Sequence, residues 1–204
     1  MGNYFVPENV NLNVCIDIGG NCGSFSLKYA NVFNKIYVYE ALPSCYNICK
    51  NRLSNFANIY VYNEAVHKED NLSVTMIAHI NYDSGSSAVS SDIIHVQEWT
   101  SDTIAKNIKT ISLETILSRL NNEDIDYVDY MKIDCETSEY NFLYNKDLSK
   151  IKRMAIEVHH QIGIDHWNEL IDHILIYFDN VHNYNLSYIS GFNKELYFES
   201  KSLI

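Results

Sequence analysis

Nine consecutive residues near the start of the chain, Asp17-Ile18-Gly19-Gly20-Asn21-Cys22-Gly23-Ser24-Phe25, have types and spacing that could hold a ligand. They lie between a short apolar run, Val14 to Ile18, and a stretch of helical spacing that begins at Ser24. Open α/β sheets bind ligands at such turns, at the carboxyl ends of their strands. Gly19 and Gly23 are expected to let the backbone approach a ligand closely. Asp17 would put a carboxylate beside that ligand. A pyrophosphate wants backbone N–H groups and a positive helix end, so an adjacent anion argues instead for a cationic, amino-acid-bearing ligand. Asn21 stands where the dinucleotide fingerprint needs its second glycine. Glu40 follows Gly19 by 21 residues and closes a second apolar run. A carboxylate there is placed to accept hydrogen bonds from both hydroxyls of a ribose. Together the turn and the acid imply an adenosine ligand.

A second constellation lies in the other half. Residues two apart on a strand share a face, so Lys132, Asp134 and Glu136 point one way, with Met131 and Ile133 opposite. Glu157 and His159 share a face likewise. Should the two strands be neighbours, Asp134, Glu136, Glu157 and His159 converge, with Lys132 available to pair with Asp134 or Glu136. Two chemistries use such a group. His159 or a carboxylate can act as general base toward a hydroxyl. Alternatively Asp134, Glu136 and His159 can hold Mg²⁺ or another divalent ion that lowers the hydroxyl pKa. Both remain open at this stage.

The elements that must position these groups alternate along the chain. Strands are expected at 14–18, 35–39, 58–62, 109–112, 127–133 and 153–158. Helices are expected at 24–33, at 43–55 with Pro43 in the first helical position, and at 113–120, 138–144 and 165–178. Two late strands, 181–189 and 195–200, joined at Gly191, would form a terminal hairpin. Short connections and nearly continuous apolar strands argue for a parallel sheet covered on both faces. Residues 71–107 break the rhythm with a β-like run at 72–78, a polar loop around Ser84-Gly85-Ser86-Ser87 and a short helix near His95. They read as an insertion over the ligand site, within one domain spanning 1–204.

Composition narrows the partners. A formal net charge of -11, with basic residues scattered, disfavours nucleic acid. A small-molecule or glycan acceptor is easier to accommodate, and self-association is left open. No apolar run approaches the length of a membrane span, and the first residues lack the basic start and apolar core of a secretory signal. Five cysteines, an odd number with a closest spacing of C-x-x-x-C, fit free thiols in a reducing compartment, so the cytoplasm is expected.

Asp17-Ile-Gly-Gly-Asn-Cys-Gly resembles the D-x-G-A-N-x-G opening of FkbM-type methyltransferases, with Gly20 in place of alanine. Lys132-Ile133-Asp134-Cys135-Glu136-Thr137-Ser138-Glu139 resembles their K-I-D-V-E-G-A-E segment, with Thr137 in place of glycine, where its Cβ narrows the turn. Asn63-Glu64-Ala65-Val66 and Ile156-Glu157-Val158-His159 resemble two further family segments, all in the family's order. The resemblance implies a three-layer, Rossmann-like class I methyltransferase fold of the α/β class. Its sheet is mostly parallel and seven-stranded, in the order 3-2-1-4-5-7-6, with a C-terminal antiparallel hairpin. It further implies S-adenosylmethionine as cofactor, S-adenosylhomocysteine as product, and O-methylation of a sugar, glycan or natural-product hydroxyl. Asp17, Gly19, Gly20, Asn21, Gly23, Ser24 and Phe25 would then follow the methionine side of the cofactor, and Asp134 the methyl donor. Glu40 would hold the ribose, with Ala41, Leu42, Glu64 and Ala65 bordering the adenine. Two rivals share part of the pattern. An NAD or nucleotide-sugar enzyme shares the glycine turn and Glu40 but not Asp17, Asn21 or residues 131–139. A cofactor-binding module without turnover is the other.

Overall fold

The computed structural model describes residues 4–8, 10–79, 87–89 and 99–203. Its centre is a seven-stranded sheet built from β1 (Val14–Ile18), β2 (Lys35–Tyr39), β3 (Ile59–Tyr62), β8 (Tyr130–Ile133), β9 (Arg153–Val158), β10 (Phe178–Asp179) and β11 (Lys194–Ser200). The order is β10-β11-β9-β8-β1-β2-β3. The pairs β3–β2, β2–β1, β1–β8 and β8–β9 are parallel, while β11 runs antiparallel to both β9 and β10. Counting only these seven in chain order gives the arrangement expected from the resemblance.

Side-chain alternation along each strand sorts the sheet's two faces. Val14, Ile16 and Ile18 of β1 join Met131 and Ile133 of β8 in a core shared with α3 (Leu113–Asn121) and α5 (Ile164–Tyr177). Cys15 and Tyr130 face the other way, against Phe25 of α1 (Ser24–Lys28) and Cys49 and Leu53 of α2 (Pro43–Leu53). Asp17 and Lys132 fall on this second face and are direct partners in the β1–β8 register. A charged pair is thus built into strands that otherwise bury apolar residues. On β2 and β3 the register sets Tyr37 on Tyr60 and Tyr39 on Tyr62 as stacked rings 5.2 Å apart.

Several boundaries depart from expectation. The first helix stops at Lys28 instead of continuing to residue 33, with Tyr29 as its cap. No strand covers 181–189. The chain passes from α5 into the two-residue β10, and β11 returns to pair with it and with β9. The antiparallel edge therefore exists, but its first arm lies earlier and is much shorter than the sequence implied. The short strand expected at 109–112 is the end of β7 (Trp99–Ile111), a 13-residue strand. It pairs with β5 (Ser73–His79), which also pairs with β6 (Ser87–Val89), and with β4 (Ala65–Val66) in a second sheet, order β4-β7-β5-β6. Three register shifts interrupt the β5–β7 ladder, and polar residues such as Lys109 break the apolar pattern that would have marked β7. The expected polar loop at 84–86 and the helix near His95 lie outside the described residues. Among the described residues no helix is long and apolar enough to cross a membrane.

Candidate active site

The turn after β1 is held from below by the sheet. Gly19 and Gly20 both donate backbone N–H groups to the Tyr39 carbonyl, at 2.9 and 3.2 Å. A Cβ on Gly19, whose φ is +73°, would stand 1.7 Å from the Asp134 carbonyl oxygen. One on Gly23, at φ +77°, would press on Leu53 and Cys49 of α2 at 2.9 and 3.0 Å. The glycines are therefore required by close packing of the turn on β8 and α2. Gly19 also lines the cleft at the carboxyl ends of the strands, whereas Gly23 does not.

Glu40 follows β2 and is buried. Its Oε2 accepts the Asn21 N–H and its Oε1 the Leu42 N–H, both at 2.7 Å. Burial raises this carboxyl above its ordinary value, and the Leu42 and Asn21 N–H groups oppose the rise. Asn21 takes a left-handed backbone, φ +47°, which aims its N–H at the acid. Each Glu40 oxygen keeps acceptor capacity beyond the one backbone bond it makes.

Glu40 stands on the wall of an open cleft at the carboxyl ends of β1, β2 and β8. Of the residues expected at a cofactor, Gly19, Asn21, Glu40, Ala41, Glu64, Ala65 and Asp134 line it. Sequence reasoning missed Ile18, Tyr39, Cys45, Val66, Met76, Val89, Cys135 and Ser138. Val66 and Cys135 sit inside quoted motifs and were readable as their neighbours were. Met76 and Val89 come from the second sheet and carried no motif. Glu64 is also held by Arg119 through two bonds of 2.7 and 2.9 Å.

Six expected residues are not part of the lining: Asp17, Gly20, Gly23, Ser24, Phe25 and Leu42. A Cβ on Gly20 would collide with Val38. Phe25 belongs to the core, Ser24 accepts a hydrogen bond from Arg52, and Leu42 contributes only its N–H to Glu40. Asp17 is the main correction: its side chain is fully buried, accepts the Ser26 hydroxyl at 2.6 Å and lies 3.3 Å from the Lys132 ammonium. That lysine also donates to the carbonyls of Ile18 (3.2 Å) and Gly19 (2.7 Å). Burial works against its charge, but Asp17 and Asp134 raise its pKa above the ordinary lysine value. Asp17 and Lys132 thus brace the turn from within.

The second constellation does assemble. His159 is almost fully buried, with Nδ1 2.8 Å from Glu139 and Nε2 3.2 Å from Glu136 and 3.9 Å from Glu157. Burial lowers the affinity of this imidazole for its second proton. The Glu139 and Glu136 carboxylates more than offset that and hold its pKa well above the ordinary histidine value. Both ring nitrogens are engaged by carboxylates, Nδ1 by Glu139 and Nε2 by Glu136, so the geometry gives His159 an orienting part. Glu157 is pushed up by burial, and its Oε2 accepts the Tyr4 hydroxyl at 3.2 Å. Asp134 is raised by burial but lowered further by Lys132, His159 and the Tyr4 hydroxyl, and ends below its ordinary value. Tyr4 carried no signal, since it precedes every motif; Glu139 closes the second quoted motif, but its contact with His159 appears only in the structure, where it opens α4 (Glu139–Leu143).

Glu136 and Thr137 have φ of +50° and +83°. The chain therefore keeps a glycine-like conformation at Thr137, a β-branched residue for which this region is strained. Its buried hydroxyl has no hydrogen-bond partner among the described residues.

The family model described as the methyltransferase FkbM domain matches residues 17–186. Among solved structures, TrmK of M. capricolum, in complex with S-adenosylhomocysteine as natural cofactor product, superposes with a TM-score of 0.51 at 11% identity. The match covers 94% of this chain and 63% of that one. The methyltransferase FkbM of Methylobacillus flagellatus KT gives a TM-score of 0.50 at 14% identity, over 92% of this chain and 44% of that one. The chain thus spans less than two thirds of either neighbour. No curated protein is a significant match.

Proposed function

The chain belongs to the FkbM methyltransferase domain family, and from that premise we propose that it transfers a methyl group from S-adenosylmethionine to a hydroxyl of a sugar, glycan or small natural-product acceptor. The lining fits such a cofactor. Glu40 keeps acceptor capacity for ribose hydroxyls, while Ala65, Val66, Met76 and Val89 offer an apolar wall for a flat base. Gly19 and Asn21 would border the methionine end, with Asp134 beside the reacting methyl. The bound cofactor supplies an electrophilic methyl on a sulfonium. The second sheet, through Met76 and Val89, would close one side of the cleft as a lid.

Glu136 lines the cleft and is held by His159. In this reading the acceptor oxygen forms its new bond to the methyl carbon while its proton passes to the Glu136 carboxylate. His159, Glu139 and Glu157 keep that carboxylate in place, and alignment of nucleophile with methyl supplies much of the rate. The net charge of -11 favours a neutral acceptor over a polyphosphate. The divalent ion expected from the sequence would belong to the acceptor side, away from Glu40.

The observation that carries the proposal is Glu40, a buried carboxylate held by two backbone N–H groups on the wall of the cleft. Calorimetric titration with S-adenosylhomocysteine tests it. Wild type is expected to bind, and Glu40→Gln to bind about 10- to 100-fold more weakly, as loss of hydrogen bonds to a charged group implies. A wild type that binds no S-adenosylhomocysteine overturns the reading. The rival module without turnover drew on Thr137, yet the turn there keeps the conformation a glycine would take.

A further inference from the structure

We propose that the chain binds a divalent transition-metal ion through Asp134, Glu157 and His159, on the acceptor side of the cleft. One ligand atom from each residue lies within 4.8 Å of the others, and His159 Nε2 stands 3.9 Å from Glu157 Oε1. Metal–ligand bonds of about 2.0–2.2 Å set ligand atoms on the order of 3–4.4 Å apart, so a small contraction completes the site. The expected set of Asp134, Glu136 and His159 is changed at one member, with Glu157 in place of Glu136.

Glu139 supplies an independent argument. It comes from α4, is fully buried, and engages His159 at Nδ1, the nitrogen that faces away from the other three carboxylates. Metal-ligating histidines are oriented in this way, by a carboxylate that accepts the N–H of the other ring nitrogen. A histidine serving only as a counter-ion needs no such fixed partner behind it. Glu139 Oε2, also buried, meets no hydrogen-bond donor among the described residues, so the pocket holds more anionic capacity than the protein satisfies.

Charge points the same way. Asp134, Glu136, Glu139 and Glu157 surround one imidazole. The neighbouring Lys132 lies 3.8 Å from Asp134 but is shared with Asp17 at 3.3 Å and with the carbonyls of Ile18 and Gly19, so it offsets only part of that charge. A mixed imidazole and carboxylate set suits Mn²⁺, Fe²⁺ or Zn²⁺ better than Ca²⁺. Metal at Nε2 would replace the 3.2 Å contact of that nitrogen with Glu136 and release that carboxylate toward the cleft. The site depends on no assumption about what occupies the cleft itself.

The test uses the full chain, stripped with a chelator and titrated with Mn²⁺, free ion being followed by its electron paramagnetic resonance signal. S-Adenosylhomocysteine binding is measured on the same samples. Wild type should take up one Mn²⁺ per chain. Glu157→Gln should bind it at least tenfold more weakly with cofactor-product affinity unchanged, and Asp134→Asn reports on the site if Glu157→Gln does not fold. Folded wild type that takes up neither Mn²⁺ nor Zn²⁺ overturns the site, as does equal uptake by folded Glu157→Gln. Failed metal uptake with intact S-adenosylhomocysteine binding removes the metal site alone. Metal uptake without S-adenosylhomocysteine binding removes the methyl-transfer reading alone.

Discussion

The two halves of the candidate site are built on different principles. The cofactor half is a backbone construction: Glu40 is held by two N–H groups, the turn hangs from the Tyr39 carbonyl, and glycines allow close contact with β8 and α2. The acceptor half is a side-chain construction. His159, Glu136, Glu139, Glu157, Asp134 and Tyr4 come from three separate stretches of chain and are tied mainly to one another. A backbone site is rigid because the fold itself sets it. A side-chain site is held by mutual charge, so it should answer to pH and to ions while the first stays indifferent.

The sharpest way to break this contrast is Gly19→Ala. The added Cβ would sit 1.7 Å from a carbonyl oxygen at a backbone φ of +73°, and a loss of about 4 kcal/mol or more in the unfolding free energy measured by urea titration is expected. Tolerance of that alanine would mean that the turn is not set by packing.

Glu139→Gln comes next. Removing one member of a buried charge pair should cost about 3 kcal/mol while leaving S-adenosylhomocysteine affinity unchanged. It also carries a pH signature. Because His159 has its pKa raised by folding, its contribution to stability is complete below the unfolded value of 6.5 and is lost as pH rises through the folded value. Thermal melts of wild type should therefore decline on the alkaline side of neutrality, and Glu139→Gln should begin that decline at lower pH. Identical profiles would show that the cluster is not held by charge.

The smallest effect runs the other way. Thr137→Gly relieves a β-branched residue at φ +83° with an unpaired buried hydroxyl, and should stabilise the protein by about 1 kcal/mol. A lowered melting temperature would indicate that Thr137 makes a favourable contact outweighing its backbone strain.

The same contrast explains what could be read in advance. Glu40 and Asn21 lie in or near one contiguous motif, and their places on the cleft follow from spacing after Gly19. A parallel sheet covered on both faces was legible because β1, β2, β8 and β9 are largely apolar, while its strand order came only from the family resemblance. Asp17 misled, since proximity to the turn says nothing about which face its side chain takes; its β1–β8 register with Lys132 decides that. Strand β7 stayed hidden because its ladder with β5 is irregular and its sequence mixes charged with apolar residues. Tyr4 depends on tertiary packing alone, and Glu139, though it closes the second motif, meets His159 only through that packing.

Tyr4 has a practical consequence. It lies well before the stretch that matches the family, residues 17–186. Yet its hydroxyl meets Glu157, its ring covers the Lys132 ammonium at 5.3 Å, and the following Phe5 carbonyl receives the Tyr130 hydroxyl. A fragment trimmed to the family boundary would keep every recognisable motif. It would lose the ring that covers the Lys132 ammonium and the hydroxyl that meets Glu157.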